Sequence, residues 1–145
     1  MSTALDRKVV RVSRRFAASA ERVFDAWLEP DRARAFLFAT PTGTIVRAEI
    51  DARVGGRFCF VDRRGGDDVE HVGTYEIIDR PRKLVFTFAV PQFSSEHTRV
   101  TIEITPRGTG CELTLTHEGV LSDFAERTGQ GWTMILETCA TSLTR

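Results

Sequence analysis

The feature of this 145-residue sequence that most restricts its fold is an alternation of apolar and polar residues with a period of two, from Thr44 to Glu118. Glycine pairs such as Gly55-Gly56 and Gly65-Gly66 divide the alternation into runs of strand length. Successive side chains of a strand point to opposite faces of its sheet. The pattern therefore predicts a meander of antiparallel strands with one buried and one solvated face. The predicted strands are TIVRAEID, GRFCFVD, HVGTYEIID, KLVFTFAV, HTRVTIEIT and CELTLTHEG.

A further strand and two short helices are predicted before this meander. The strand covers Lys8 to Phe16, where β-branched and basic residues mix. Ser19 is expected to cap the first helix, and Pro30 is expected to end it and to begin the second. The apolar residues of the first helix fall at helical spacing, at Val23, Phe24, Trp27 and Leu28.

The last segment of the chain predicts a long amphipathic helix. Its apolar residues recur at i, i+3, i+4, i+7 and i+11, at Trp132, Ile135, Leu136, Cys139 and Leu143. A sheet with one apolar face needs a cover, and this helix is long enough to supply it. We therefore expect an α+β helix-grip fold in a single domain spanning residues 1–145: a curved antiparallel sheet of about six or seven strands wrapped around the C-terminal helix.

Composition narrows the classes of partner. The sequence has 20 Lys and Arg residues and 20 Asp and Glu residues, so there is no basic excess to attract nucleic acid. The charged N-terminal segment indicates neither a signal peptide nor a membrane span, and we expect a cytoplasmic protein that does not bind membranes. Cys59, Cys111 and Cys139 lack CxxC spacing and no His-x-x-x-His motif occurs, so neither a disulfide framework nor a metal or other cofactor is expected.

A curved sheet packed on a helix leaves a concave space, which is the usual place for a small-molecule site. The alternative is that the same side chains fill a core. The residues that the alternation and the helical spacing direct inward, and that we predict to contact a ligand, are Phe58, Phe60, Tyr75, Phe86, Phe88, Val100, Ile102, Leu113, Leu115, His117, Trp132, Ile135, Leu136 and Cys139.

The polar candidates within this set are His117 and Tyr75, with Arg34 as a further group that orients a ligand. An inward imidazole near a strand end can hold a ligand or transfer a proton, which makes His117 a catalytic candidate. The inward phenol of Tyr75 is the second candidate. A hydrogen-bonded histidine at the rim is the structural alternative for His117. His71 and His97 follow Glu70 and Glu96 and are expected to be solvated.

Four segments together resemble a known family. They are DARVGGRF at 51–58, HVGTYEIIDRPRKLVFTF at 71–88, TRVTIEITPRGTGCELTLTHEG at 98–119, and the helix start GQGW at 129–132. The chain resembles, over nearly its whole length, the activator-homologue branch of the START-like or Bet v-like superfamily. That branch is named for the C-terminal domain of the activator of the ninety-kilodalton heat-shock protein ATPase. The chain is also similar to polyketide cyclase-like and self-sacrificing resistance proteins.

The resemblance implies the helix-grip fold with a hydrophobic cavity, but it fixes the fold better than the chemistry. Phe36 and Phe88 stand where relatives often have Trp, which changes the shape of the pocket. Three functions follow as hypotheses: binding of a small hydrophobic or aromatic molecule, cyclase-like or hydrolase-like catalysis in the same cavity, and interaction with a stress-response chaperone. The resemblance also implies a possible homodimer through sheet edges or loops.

Overall fold

The computed structural model describes residues 6–40, 42–94 and 96–143, so the ends of the predicted domain, 1–5 and 144–145, lie outside the described residues. The elements are β1 (Arg7–Phe16), α1 (Ala20–Leu28), α2 (Pro30–Ala33), β2 (Thr44–Ile50), β3 (Arg57–Arg64), β4 (Asp67–Asp79), β5 (Lys83–Phe88), β6 (Thr98–Arg107), β7 (Gly110–Leu121) and α3 (Ala125–Leu143). The seven strands form one antiparallel sheet in the order β1-β7-β6-β5-β4-β3-β2. The long helix α3 covers one face, as the helix-grip prediction requires.

The predicted helix boundaries after β1 are confirmed. The Ser19 hydroxyl accepts a hydrogen bond from the backbone N–H of Arg22 at 3.3 Å, and α2 begins at Pro30. The buried stripe of α1 includes Trp27, whose ring meets the Phe36 ring edge-on at 5.3 Å between centroids. Since α1 also contacts β6 and β7, these two aromatic side chains fill part of the concave side of the sheet.

The buried face of α3 is the predicted one, formed by Trp132, Leu136, Cys139 and Leu143. The helix nevertheless begins at Ala125 and not at the GQGW segment, so this part of the prediction is wrong. Ala, Glu and Arg at 125–127 favour helix, and Glu126 lies in the first turn, where a negative charge stabilises the helix dipole. No helix among the described residues combines the length and apolar character needed to cross a membrane.

Gly73 permits close packing between β4 and the aromatic interior. It is paired across the sheet with Phe58 of β3. A Cβ atom at this position would overlap the backbone carbonyl oxygen of Thr87 and the ring of Phe58. The phenyl ring therefore covers the glycine, and the neighbouring strand approaches closely because no side chain intervenes.

We expect Gly73→Ala to lower the free energy of unfolding by about 3 kcal/mol, because one of the overlapping atoms belongs to the backbone and cannot move alone. Gly129→Ala is the matched control, since the added carbon would only touch Val10 at 3.5 Å. Alanine in a helix interior should raise that free energy by up to about 1 kcal/mol. Urea denaturation measures both, and equal midpoints for the two variants would contradict the packing of Gly73.

Candidate ligand-binding site

A cavity of about 330 Å³ lies between the first half of α3 and one end of the sheet. Three parts of the chain form it: the segment after α2, the strands β3, β4, β5 and β7, and one side of α3. Its lining combines flat aromatic rings with a few polar groups, which is the usual composition of a small-molecule site. The lining residues are Phe38, Ala39, Thr40, Arg64, His71, Phe88, His117, Thr128, Gly131, Trp132, Met134 and Ile135.

Four of the side chains predicted to contact a ligand line this cavity, namely Phe88, His117, Trp132 and Ile135. The others are buried in the core and do not line it, because alternation gives the direction of a side chain and not its depth. Arg34 is exposed, and its guanidinium donates to the backbone oxygen of Ile45 at 3.0 Å. The buried set is Phe58, Phe60, Tyr75, Phe86, Val100, Ile102, Leu113, Leu115, Leu136 and Cys139.

Phe38 is at the centre of what we call the aromatic wall, which it forms with His71, Phe88 and Trp132. Its ring lies nearly parallel to those of His71 and Phe88, with centroids 4.6 and 5.1 Å away and interplanar angles of 12° and 8°. The Trp132 ring closes the group at 62° to Phe38. Phe38 has a φ of 61°, in the left-handed region that a bulky residue rarely adopts. Packing on several sides holds this strained backbone in place.

His117 is fixed by a chain of hydrogen bonds that crosses three strands. The indole N–H of Trp132 donates to Nδ1 of His117 at 3.0 Å. Indole is a donor only, so Nδ1 accepts and the proton of the neutral imidazole is assigned to Nε2. Nε2 then donates to the Thr98 hydroxyl at 2.7 Å, and that hydroxyl donates to the backbone oxygen of Phe88 at 3.1 Å. Both ring nitrogens of His117 are therefore in use.

This arrangement favours a structural role for His117. Burial lowers its pKa from 6.5 to about 4, and protonation would also break the bond to Trp132. A general base needs a free lone pair within reach of the substrate, and the indole occupies the one that Nδ1 offers. The surroundings of His117 agree with the structural alternative, a hydrogen-bonded histidine at the rim of the cavity.

His71 is the second imidazole of the cavity, and the expectation that it is solvated is wrong. Its side chain is only 6% exposed, and its Nδ1 is buried without a hydrogen-bond partner among the described residues. Burial, and then the positive charge of Arg64, lower its pKa from 6.5 to about 4. A neutral, unpaired ring nitrogen in a buried site is uncommon in native proteins. His71 is thus the cavity imidazole that makes no side-chain hydrogen bond among the described residues.

A buried carboxylate and its half-buried arginine partner adjoin His71. Asp62 is fully buried, and one of its oxygens, Oδ2, accepts from Arg64 Nε at 2.6 Å and from the Thr40 hydroxyl at 2.8 Å. Arg64 and Thr40 line the cavity, while Asp62 lies behind them. A buried carboxylate is tolerated only with a partner of opposite charge and good hydrogen bonds. Together Asp62, Arg64, Thr40 and His71 form what we call the polar corner.

The sequence prediction missed Phe38 and the whole polar corner, although a signal existed for part of it. In β4, His71 has the same phase as Tyr75, which was assigned inward. In β3, Asp62 and Arg64 have the phase of Phe58 and Phe60. The charged residues in and beside these positions obscured the periodicity, because an acidic or basic residue normally indicates exposure.

The remaining reactive groups are shielded. Burial raises the pKa of the Cys139 thiol to about 12 and raises that of Cys111, so both thiols are protonated and unreactive. Burial also raises the pKa of Tyr75, which lies in the core. Among the described residues, no group of three or more His, Cys, Asp or Glu side chains is arranged to hold a metal ion.

A larger depression, of about 570 Å³, lies on the outer side of β3 and β4. Its lining includes Arg57, Cys59 and Thr74, which alternate with inward residues, and the exposed His97. Among the described residues, its lining consists of strand residues and His97, with no helical residue. The smaller cavity is the better candidate because both layers of the fold contribute to its walls and aromatic rings line it.

The fold is that of a recognised family. A family model described as "Activator of Hsp90 ATPase homolog 1-like protein" matches residues 17–143. The chain belongs to this family. The match begins directly after β1 and covers the other six strands and the whole of α3. Interaction with a chaperone, which the family description brings to mind, stays a prediction for this chain.

Solved structures share the fold at low sequence identity. Protein CV1439 from Chromobacterium violaceum is 24% identical, with a TM-score of 0.84 over 92% of this chain and 94% of that chain. The AHSA1-like protein from Aeromonas hydrophila is 20% identical, with a TM-score of 0.82 over 94% and 92%. Protein SA2116 from Staphylococcus aureus, of unknown function, is 16% identical, with a TM-score of 0.85 over 96% and 94%. No curated protein matches the chain.

Replacing His117 or His71 by phenylalanine should change the free energy of unfolding in opposite directions at pH 7. We expect His117→Phe to lower the free energy of unfolding by about 2 to 3 kcal/mol, because the Trp132 N–H loses its acceptor in a buried site. His71→Phe removes an unpartnered polar atom and keeps a ring against Phe38, so we expect an increase of about 1 kcal/mol. Chemical denaturation compares the two. A destabilised His71→Phe would contradict the unpaired state of that imidazole.

The pKa shift of His71 also predicts a pH dependence. In the unfolded chain its imidazole gains a proton near pH 6.5, whereas in the folded chain it resists protonation until about pH 4. The unfolded state therefore binds more protons in this window, and stability falls as the pH falls. The gap in unfolding free energy between His71→Phe and the natural chain should widen by about 3 kcal/mol from pH 7 to pH 4. A constant gap would contradict the shift.

Proposed function

We propose that the protein binds one small hydrophobic or aromatic molecule in the cavity between α3 and the sheet. The observation that carries the proposal is the combination of an aromatic wall with a single unpartnered imidazole, His71, in a space of about 330 Å³. That volume lies at the lower end of the range of about 300 to 1,000 Å³ for ligand pockets. The fold family supports the same function.

Affinity would come mainly from the burial of apolar surface. Phe38, Phe88 and Trp132 present rings, and Ile135 and Met134 of α3 add aliphatic surface. Each square ångström of apolar surface removed from water contributes roughly 25 cal/mol, less the entropy lost on binding. The aromatic wall is held rigid by its mutual packing and by the bond from Trp132 to His117. Little ordering is therefore needed when a ligand enters.

Native mass spectrometry of the purified protein is the direct test. The mass under native conditions is compared with the mass after denaturation, and any released compound is extracted and identified. A retained aromatic or apolar compound supports the proposal. A single unliganded species, together with no thermal shift in a library of aromatic and lipid-like compounds, contradicts it.

A bulky side chain at the cavity should block binding. N-phenyl-1-naphthylamine, an uncharged dye that fluoresces in apolar surroundings, serves as the probe. We expect Ile135→Trp to weaken its binding at least about tenfold, because the indole would occupy space that the dye needs. Ile77→Trp is the matched control, since Ile77 is 41% exposed and lies outside the cavity. Equal losses in both variants would place the dye elsewhere.

Catalysis in the same cavity, of the cyclase or hydrolase type, is a second candidate, and the observation that favours it is again His71. A neutral imidazole with a free nitrogen can accept a proton from a bound substrate. His117 and Tyr75 are poorer proton carriers, since His117 is fully hydrogen-bonded and Tyr75 is in the core. The test is to incubate the extracted compound with the protein and follow its conversion by mass spectrometry. Conversion that persists in His71→Phe would exclude this mechanism.

A further inference from the structure

The polar corner carries no net charge. The positive charge of Arg64 is balanced by the negative charge of Asp62, whose Oδ2 lies 2.6 Å from Nε of Arg64. His71 and His117 are buried and neutral. The rest of the lining consists of apolar, glycine and threonine residues. An ion that entered this cavity would lose its hydration without meeting an unpaired charge of opposite sign, which is unfavourable.

The corner nevertheless has unused hydrogen-bonding capacity. Neither ring nitrogen of His71 forms a hydrogen bond with a side chain among the described residues, and of the two it is Nδ1 that is covered by protein atoms. Arg64 uses its Nε in the ion pair. Its two terminal nitrogens donate no hydrogen bond to the described part of the chain. A ligand that covered these groups without pairing with them would bind more weakly, because it would remove them from water without replacing their hydrogen bonds.

A hydroxyl group fits both requirements. It donates one hydrogen bond and accepts others, so it can pair with His71 in either tautomer and still accept from Arg64. An ether or a carbonyl oxygen can only accept. A carboxylate or an ammonium group would bring a net charge that the balanced ion pair does not neutralise.

The other walls favour a flat molecule. The rings of Phe38 and Phe88 lie within 8° of parallel, and Trp132 stands at 62° to each. Offset stacking and edge-to-face contacts are the favoured arrangements of aromatic rings, and a planar ligand can make both here.

We propose that the ligand is an uncharged, planar aromatic molecule with a hydroxyl group, and that His71 and Arg64 recognise the hydroxyl. This proposal rests on the proposed binding function and specifies its chemistry. His71 is thereby a binding residue that meets the ligand through Nε2, since Nδ1 is covered by protein atoms.

Three naphthalenes of similar size test this recognition at pH 7: 2-naphthol, 2-methoxynaphthalene and 2-naphthoate. The first carries a hydroxyl, the second replaces its proton by a methyl group, and the third is an anion. Isothermal titration calorimetry on the full chain should show 2-naphthol binding at least about fivefold tighter than the ether. The same measurement should show 2-naphthol binding at least about tenfold tighter than 2-naphthoate.

His71→Phe should bring 2-naphthol and the ether to within about twofold of each other, while both still bind. His97→Phe is the matched control, because His97 is exposed and does not line the cavity, and it should keep the full preference. Equal binding of the three compounds to the natural chain, or a preference for the carboxylate, overturns the hydroxyl proposal and leaves the binding function standing. Binding of none of them contradicts the binding function itself.

Discussion

The hydrogen bond from the Trp132 indole to His117 is the interaction on which the cavity depends. A buried indole N–H usually pairs with an acceptor, and for Trp132 the imidazole supplies it at 3.0 Å. Through Thr98 and the Phe88 carbonyl, the same chain of bonds joins α3 to β7, β6 and β5. It therefore fixes the position of the Trp132 ring, against which Phe38 and Phe88 pack. The walls of the cavity are set by polar bonds as much as by apolar contact.

Much of the fold follows from periodicity. Alternation placed the strands and gave His117 its inward direction, and helical spacing gave the buried face of α3. Depth is different, because it depends on how several elements meet. Tyr75 and Phe86 have the same phase as His71 and Phe88, yet the first two lie in the core and the last two at the cavity. Sequence spacing carries no information on where α1 fills the concave side and where it stops.

Three features that sequence rules disfavour lie at or beside the cavity. A fully buried carboxylate, Asp62, lies behind it, and Phe38 beside it adopts a left-handed backbone. His71 keeps a buried nitrogen unpaired. Each of these lowers stability by about 1 to 3 kcal/mol relative to a relaxed or paired alternative. Natural sequences break local rules mainly at functional sites, and the remainder of the core, with its buried aliphatic and aromatic side chains, stabilises the fold against these losses.

The order of the sheet leaves β1 as an edge strand, and its composition governs how copies of the chain meet. An edge strand offers unpaired backbone groups to which another strand can add. Five of the ten residues of β1 are basic, and it has no acidic residue: Arg7, Lys8, Arg11, Arg14 and Arg15. When two identical antiparallel edges align, like charges are brought together across the new pair. The basic edge thus opposes β1-to-β1 addition and protects the sheet from growing into extended aggregates at this side.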